Sequence, residues 1–241
     1  RGFYQSNTDT VRFDKGSLPE LSEVAPGEGG TVSFSFEPVA PPGVSNPYIS
    51  LSGAVAGERS EESGVPEEVR AAAFQKILVE SEASFSALAS YYTGPLQNSG
   101  GLPPRAEKET TYTVSWSLSN STNDITGARI SAYLPPYARF IGEISPGSEK
   151  VSFNEAERTI VWEVGVLRAG SGFSKGARQV YFKIGLTPSV SQVGETPQLL
   201  GPASFSGEDS FTKTRVNLSG EEITTRLSEG EIKGGEETVI P

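Results

Sequence analysis

The sequence contains no cysteine, no histidine and no methionine. Without cysteine there can be no disulfide, no thiol nucleophile and no thiolate metal ligand. Without histidine the chain lacks the commonest general base and the commonest ligand of transition metals. These absences exclude histidine-dependent triads and the usual zinc sites. The missing disulfides favour a bacterial or archaeal surface protein, and the missing initiator methionine leads us to expect a processed product or an excised segment.

Long apolar runs and basic stretches are also absent. No apolar run approaches the roughly 20 residues that a membrane-spanning helix requires, and no signal peptide is recognisable. The formal net charge is −10, so phosphate backbones and anionic membranes are poor partners. We therefore expect no nucleic-acid partner and no direct membrane insertion, and we interpret the acidic surface as solvated.

Short alternating runs, joined by many of the 27 glycines and 17 prolines, dominate the sequence. In Thr111–Ser119 apolar and polar residues alternate with the period of two that is typical of a half-buried strand. Further strands are predicted at Ala128–Tyr133, Val151–Phe153, Thr159–Val166, Arg178–Leu186 and Arg215–Leu218. Strands at this spacing, with turn-forming residues between them, favour a β-sandwich over alternating strands and helices.

The first hundred residues carry a fainter version of the same pattern. Val32–Phe36 alternates, and Tyr48–Leu51 is predicted to be a short strand. The stretch from Pro66 could open a helix, but we favour a strand pair at Phe74–Ser81 and Ser84–Tyr92. Gly94–Arg105 has the composition of a linker. We therefore predict a first sandwich over residues 1–104, a second over 105–228, and an acidic exit linker over 229–241.

Two segments of the chain are similar to each other. Val11–Phe13 and Val32–Phe36 match Val151–Phe153 and Val180–Ile184 in order and in pattern. Two strands precede the match in the second segment, whereas only residues 1–10 precede it in the first. The similarity could be chance between β-rich segments, or the chain could be a window of a tandem array whose first sandwich lacks its leading strands. Such a sandwich would need a neighbouring domain or another chain to cover its open edge.

The residues from Glu109 to Leu227 resemble the conserved-repeat family of bacterial and archaeal surface proteins, long listed as a domain of unknown function. The similarity lies in Thr111–Asn120, Gly127–Pro136, Tyr137–Gly142, Thr159–Gly165, Leu167–Gly170, Val180–Ile184 and Ser206–Thr212. The resemblance implies an immunoglobulin-like sandwich in an exported protein with many repeats, and it implies no catalytic residues. The stretch Thr187–Pro202 departs from the simpler repeats as an insertion.

Few residues offer chemistry. Ser171 and Lys175 do not have the spacing of a Ser-x-x-Lys nucleophile, and the glycine-rich stretches lack the following helix of a phosphate site. Calcium is the most reasonable ligand, because loop oxygens can bind it. Asn120, Asn123 and Asp124 share one predicted loop, and Glu208 and Asp209 share another. Neither loop has the spaced pattern of a strong site, so we assign no catalytic, cofactor or metal residue and keep calcium as an open possibility.

Trp116 and Trp162 lie on alternating strands beside aliphatic residues, which favours core positions over a sugar-stacking platform. Taken together, the sequence predicts two tandem immunoglobulin-like sandwiches without enzymatic activity, located at the cell surface. The leading hypothesis is a structural module of a stalk, envelope layer or filament, whose partners are other repeats or neighbouring subunits. The alternative is an adhesin or carbohydrate-binding module, for which dependence on calcium is left open.

Overall fold

The computed structural model describes residues 2–37, 44–59, 67–227 and 234–241. Within these ranges the chain is all-β, apart from two short 3-10 turns at Pro19–Leu21 and Val190–Gln192. The predicted all-β class is therefore confirmed. The chain forms two compact units, Arg1–Val39 and Ala40–Pro241.

The first unit is small. Strands β1 (Phe3–Gln5) and β2 (Thr10–Arg12) form an antiparallel hairpin, in which the hydroxyl of Tyr4 donates a hydrogen bond to Asp9 at 2.8 Å. The alternating stretch Val32–Phe36 was predicted to be a strand, and this prediction was wrong, because residues 22–37 are exposed and no strand pairs with them in the described part of the chain. Alternation favours a strand only where a partner can take up its backbone hydrogen bonds.

The second unit contains the remaining strands. They are β3 (Tyr48–Arg59), β4 (Glu67–Leu78), β5 (Ala83–Ser90), β6 (Thr110–Asn120), β7 (Ile125–Tyr133), β8 (Ala138–Ser145), β9 (Val151–Asn154), β10 (Thr159–Leu167), β11 (Arg178–Leu186), β12 (Gln198–Leu200), β13 (Ser204–Asp209), β14 (Arg215–Ser219) and β15 (Ile223–Thr224). Strands predicted from alternation in the second half agree with β6, β7, β9, β10, β11 and β14 to within a few residues.

Two sheets pack face to face into an immunoglobulin-like sandwich. One sheet has the order β14-β13-β7-β10-β9, and the other has the order β5-β6-β11-β8. Alternate residues of each strand point inwards, so the core is built from both sheets. Trp116, Trp162 and Phe182 are fully buried there, and the rings of Trp116 and Phe182 meet edge to face at 4.8 Å between centroids.

The sandwich includes residues from both sides of the predicted boundary at 104. Strand β5 pairs with β6 over eight residues, from Ala83 opposite Asn120 to Ser90 opposite Thr113. Its inward residues Phe85, Ala87 and Ala89 pack against the core. The sandwich therefore extends back to about residue 81, and the described residues before it include the hairpins β1–β2 and β3–β4.

The predicted linker Gly94–Arg105 is a docked loop. The amide of Asn98 donates hydrogen bonds to the carbonyl of Tyr91 at 2.9 Å and to the hydroxyl of Thr113 at 3.1 Å. The backbone amide of Thr111 donates to the carbonyl of Ser99 at 2.8 Å. The glycines and prolines of this loop allow it to turn sharply and lie against β6. A flexible linker has the same composition, so composition alone does not distinguish the two.

The insertion and the tail close one end of the sandwich. Leu199 and Leu200, within the Thr187–Pro202 insertion, are fully buried, and β12 pairs with β15. The tail was predicted to be an exit linker over 229–241, but its described part, 234–241, is docked. Val239 is only 1% exposed, and its backbone amide bonds to the carbonyl of Glu195 at 3.0 Å. Burial of this apolar side chain holds the tail in place.

The ambiguous stretch after residue 66 is a strand. Glu67–Leu78 forms β4 and pairs with β3 over twelve residues, so the helical alternative is wrong for this range, while Pro66 itself lies outside the described residues. The predicted pairing of Phe74–Ser81 with Ser84–Tyr92 was also wrong. Each of these segments pairs elsewhere, β4 with β3 and β5 with β6.

Candidate functional site

The two loops that the sequence singled out meet in the structure. The β6–β7 loop and the end of β13 bring Asn120, Asn123 and Asp209 together, and all three residues are 0% exposed. Ser81, which precedes β5, joins them through its backbone amide and its hydroxyl. We call these four residues, Ser81, Asn120, Asn123 and Asp209, the polar junction.

The carboxylate of Asp209 accepts four hydrogen bonds. One oxygen accepts from the backbone amide of Ser81 at 2.9 Å and from the side-chain amide of Asn123 at 2.8 Å. The other oxygen accepts from the backbone amides of Phe211 at 2.9 Å and Thr212 at 3.0 Å. Burial alone would raise the pKa of Asp209, but these hydrogen bonds outweigh it and lower the pKa, so the group is an anion at neutral pH.

Ser81 and Asn120 extend the network to other strands. The Ser81 hydroxyl donates to the Asn120 side-chain oxygen at 2.6 Å and accepts from the backbone amide of Asn123 at 3.1 Å. The Asn120 amide donates to the carbonyls of Asn123 at 2.6 Å and Leu167 at 3.2 Å. The polar junction therefore fastens the start of β5 to β6, to the end of β10 and to the β13–β14 hairpin.

The remaining calcium candidates do not join this cluster. The carboxylate of Asp124 accepts from the Arg168 guanidinium at 2.7 Å and from the backbone amide of Ala169 at 2.8 Å. Burial raises the pKa of Asp124, and these two donors lower it further than burial raises it. Glu208 is exposed. No group of three or more acidic side chains suited to a metal occurs in the described ranges, and calcium binding stays a prediction.

The other residues considered for catalysis or ligand binding make hydrogen bonds within the fold or lie in its core. The hydroxyl of Ser171 donates to the carbonyl of Arg168 at 2.7 Å, and the Lys175 ammonium donates to the carbonyl of Ala169 at 3.1 Å, so the two side chains are not directed at each other. The indole of Trp162 donates to the buried carboxylate of Glu149 at 2.9 Å. Both tryptophans lie in the core, as predicted.

Two bonded segments of the chain, at Ser81 and at Ile240, lie at opposite ends of the sandwich. The polar junction lies where β6 ends, at Asn120. At the opposite end the backbone of Ile240 donates to the carbonyl of Pro104 and accepts from the amide of Ala106, both at 2.9 Å, just before β6 begins at Thr110. The eleven residues of β6 span about 35 Å at roughly 3.3 Å per residue. The sequence carried no local signal for this arrangement, because its contacts join distant parts of the chain.

A long, exposed hairpin extends from the end that carries the polar junction. At its root, the backbone amide of Asn46 donates to the carbonyl of Thr122 at 3.3 Å, and that of Val79 donates to the carbonyl of Pro47 at 3.0 Å. Its strands β3 and β4 pair only with each other within the described residues, and every residue of β4 is exposed. Sequence reasoning missed this hairpin, although alanine and glycine at its centre were a signal that neither strand packs on a core.

Comparison with known proteins gives distant structural similarity. No family model and no curated protein matches the sequence, so the resemblance to the conserved-repeat family stays a prediction. The structure is similar to a variant of BcpA, the major pilin subunit of Bacillus cereus, with 10% identity and a TM-score of 0.40 over 78% of this chain and 48% of that chain. It is also similar to the full-length major pilin SpaD of Corynebacterium diphtheriae, with 14% identity and a TM-score of 0.35 over 59% of this chain and 34% of that one.

This chain thus spans about half or less of the length of these two pilins. In the described part of the chain, no helix has the length and apolar character needed to cross a membrane.

Proposed function

We propose that the chain is a non-enzymatic structural module of an exported cell-surface protein, which transmits tension through a stalk, envelope layer or filament. The observation that carries this proposal is that Ser81 and Ile240, which we call the two attachment points, are bonded at opposite ends of the sandwich. Ser81 is fastened beside the end of β6, and Ile240 is fastened beside its beginning. A force between these points acts along the strands.

Loading along the strands is the direction in which a sheet resists best. The hydrogen bonds between antiparallel strands are perpendicular to the strand axis, so a force along the axis strains many of them together. Strand β5, the first strand of the sandwich, pairs with β6 over eight residues, and β6 pairs with β11 over nine. A force along the strands loads all of these backbone hydrogen bonds in shear. A force across the sheet would break the same bonds one after another.

The buried interactions at each end support the same role. At one end, removal of β5 would leave the Asp209 carboxylate without the Ser81 amide, and a buried anion that loses a donor is costly. At the other end, detachment of the tail would expose Val239 and open the backbone bonds from Ile240 to Pro104 and from Val239 to Glu195. The hydrogen bonds and buried side chains at the two ends hold the fold together, and the proposal assigns no catalytic residue.

Single-molecule pulling tests the proposal, and the lack of cysteine makes introduced cysteines unique handles. Handles at E82C and P241C pull along the strand axis. Handles at S86C and E143C, on exposed positions of the edge strands β5 and β8, pull across the sheet that contains β6. We expect unfolding along the axis to require clearly the larger force. Equal forces in the two directions would contradict a mechanical role.

A further inference from the structure

The strands β3 and β4 form a ribbon that leaves much apolar surface exposed. Paired residues of antiparallel strands lie on the same face, so one face carries Ile49 opposite Ile77, Val55 opposite Ala71, and Gly57 opposite Val69. Val55 is 65% exposed and Val69 is 45% exposed. A two-stranded ribbon is only marginally stable in water, whereas a sheet of three or more strands with an apolar face is stable. The two-stranded ribbon is thus at least one strand short of a stable sheet.

No strand of the described residues pairs with the outer edge of β4, so this edge can accept another strand. Its twelve residues include no proline and no glycine, and its pairing with β3 is continuous in register. Natural edges are usually blocked by proline, bulges or charges of one sign. The charges of β4 are of both signs, with Glu67, Glu68 and Arg70 in its first four residues and Lys76 near its other end. Charges arranged in this way repel many strands but complement an antiparallel copy of the same strand.

We infer that β4 pairs antiparallel with β4 of a second copy of this chain, about a two-fold axis at Ala72. This axis places Glu68 opposite Lys76 of the second copy, and Lys76 opposite its Glu68. The same axis places Arg70 opposite the second copy's Phe74, which is 68% exposed and offers its ring to the guanidinium. The product is a four-stranded sheet whose two faces continue across the junction, with Ala71 opposite the second copy's Ala73 on the face that carries Val55 and Val69.

Neighbouring registers are less favourable. An axis at Ala73 would place Arg70 opposite Lys76, and an axis at Ala71 would place Glu68 opposite Phe74. An axis between two residues would join the apolar face of one copy to the polar face of the other, because a one-residue slip reverses every side chain. Only the axis at Ala72 keeps the apolar faces together and pairs opposite charges at both ends.

The charges that take part are accessible in a single copy. Glu68 contacts Arg70 at 2.5 Å on its own strand, with both side chains more than half exposed, and the Lys76 ammonium lies 4.0 Å from the centre of the Tyr48 ring. Neither contact buries the charge, so each can meet a second copy without losing a buried partner. The pairing lies outside the strands between Ser81 and Ile240, so it stands or falls separately from the mechanical role.

Charge reversal with mixing tests both the partner and the register. In a homodimer of E68K, both charge pairs join two cations, and in a homodimer of K76E both join two anions. We expect each variant to dimerise about tenfold more weakly than the wild-type chain, because cross-strand pairs change from attraction to repulsion. An equal mixture should recover wild-type affinity as a heterodimer, since every pair then joins opposite charges. Light scattering or sedimentation over a dilution series of the full chain measures this.

The control is E155K, which makes the same charge change at an exposed residue of the turn between β9 and β10, outside the ribbon. Its dimerisation should stay within about twofold of the wild-type value, as expected for an exposed charge outside the contact. Added salt should weaken the wild-type dimer and strengthen both single variants. A wild-type chain that stays monomeric, single variants that dimerise normally, or a mixture that shows no recovery would each overturn the inference.

Discussion

At the scale of single residues, Asp209 is the group on which most contacts at the end of the sandwich converge. A buried carboxylate is costly unless its oxygens are hydrogen-bonded, and Asp209 meets this requirement with four donors from three separate segments. Three of these donors are backbone amides, so only the negative charge and the position of the carboxylate are specific to the side chain. Its contribution can therefore be measured by removing the charge while keeping the shape.

The variant D209N should lose about 2–3 kcal/mol of unfolding free energy at pH 7, because its amide group turns a donor towards donors that need an acceptor. Since the folded-state pKa of Asp209 is lowered, its stabilisation is complete above the unfolded pKa and disappears as the pH falls through the folded pKa. The difference between the wild-type chain and D209N should therefore shrink in acid. Urea denaturation at a series of pH values measures both effects.

The matched control for this measurement is E208Q, which removes a charge from the exposed residue next to Asp209. It should change stability by less than about 0.5 kcal/mol. A loss in E208Q equal to that in D209N, or a D209N loss that is the same at every pH, would show that the carboxylate is not the cause.

At the scale of elements, the loop Gly94–Arg105 depends on backbone geometry that only glycine tolerates. Gly100 has a φ of +92°, and a Cβ atom there would lie 2.5 Å from the carbonyl oxygen of Glu109 and 2.7 Å from Cα of Thr110. Both of these atoms belong to the backbone at the start of β6, so they cannot move aside without distorting the strand. The loop is held against β6 by this close approach as well as by Asn98.

We expect G100A to lower the unfolding free energy by about 1–3 kcal/mol, because it combines an unfavourable φ with a backbone clash. The neighbouring change G101A is the control, since a Cβ atom there meets nothing closer than 3.7 Å. It should be nearly neutral. Thermal or urea unfolding of both variants gives the comparison, and similar losses in the two would mean that the loop is not docked as described.

The elements also show how much the sequence could predict. Strand β11 was predicted with its observed bounds, Arg178–Leu186, because alternation along a strand that packs on a core is a local signal. Val32–Phe36 has the same alternation but forms no strand, since alternation does not show whether a partner exists. The polar junction could be predicted only in part. Asn120, Asn123 and Asp209 were candidates by residue type, but Ser81 and the four-donor geometry arise from contacts between residues far apart in sequence.

At the scale of the whole molecule, stability should be distributed unevenly. The sandwich has a core built from two sheets, whereas β3 and β4 form an exposed ribbon whose root alone contacts the β6–β7 loop. Amides in elements with few buried apolar contacts exchange through local opening, and core amides exchange only through global unfolding. The ribbon and the sandwich should therefore behave as separate units in hydrogen exchange.

Hydrogen exchange of the dilute chain should give small opening free energies for the β3 and β4 amides and values near the global one for β6 and β11. Strand β5 should exchange with the sandwich, because it belongs to that sheet. Raising the protein concentration should slow exchange in β4 more than in β3 if copies pair through β4. Protection of the ribbon equal to that of β6 in dilute solution would contradict this division.

The separation of the two attachment points also limits how the sandwich could be circularly permuted. In many domains the termini lie close together, which makes circular permutation simple. Here Ser81 and Ile240 lie at opposite ends of β6, so a permuted sandwich that joins them would need a connector of at least about ten extended residues. A shorter connector could be closed only by pulling Val239 or β5 out of place. The two ends of this sandwich are therefore placed for connections that leave in opposite directions, and a short direct link between them would strain the fold.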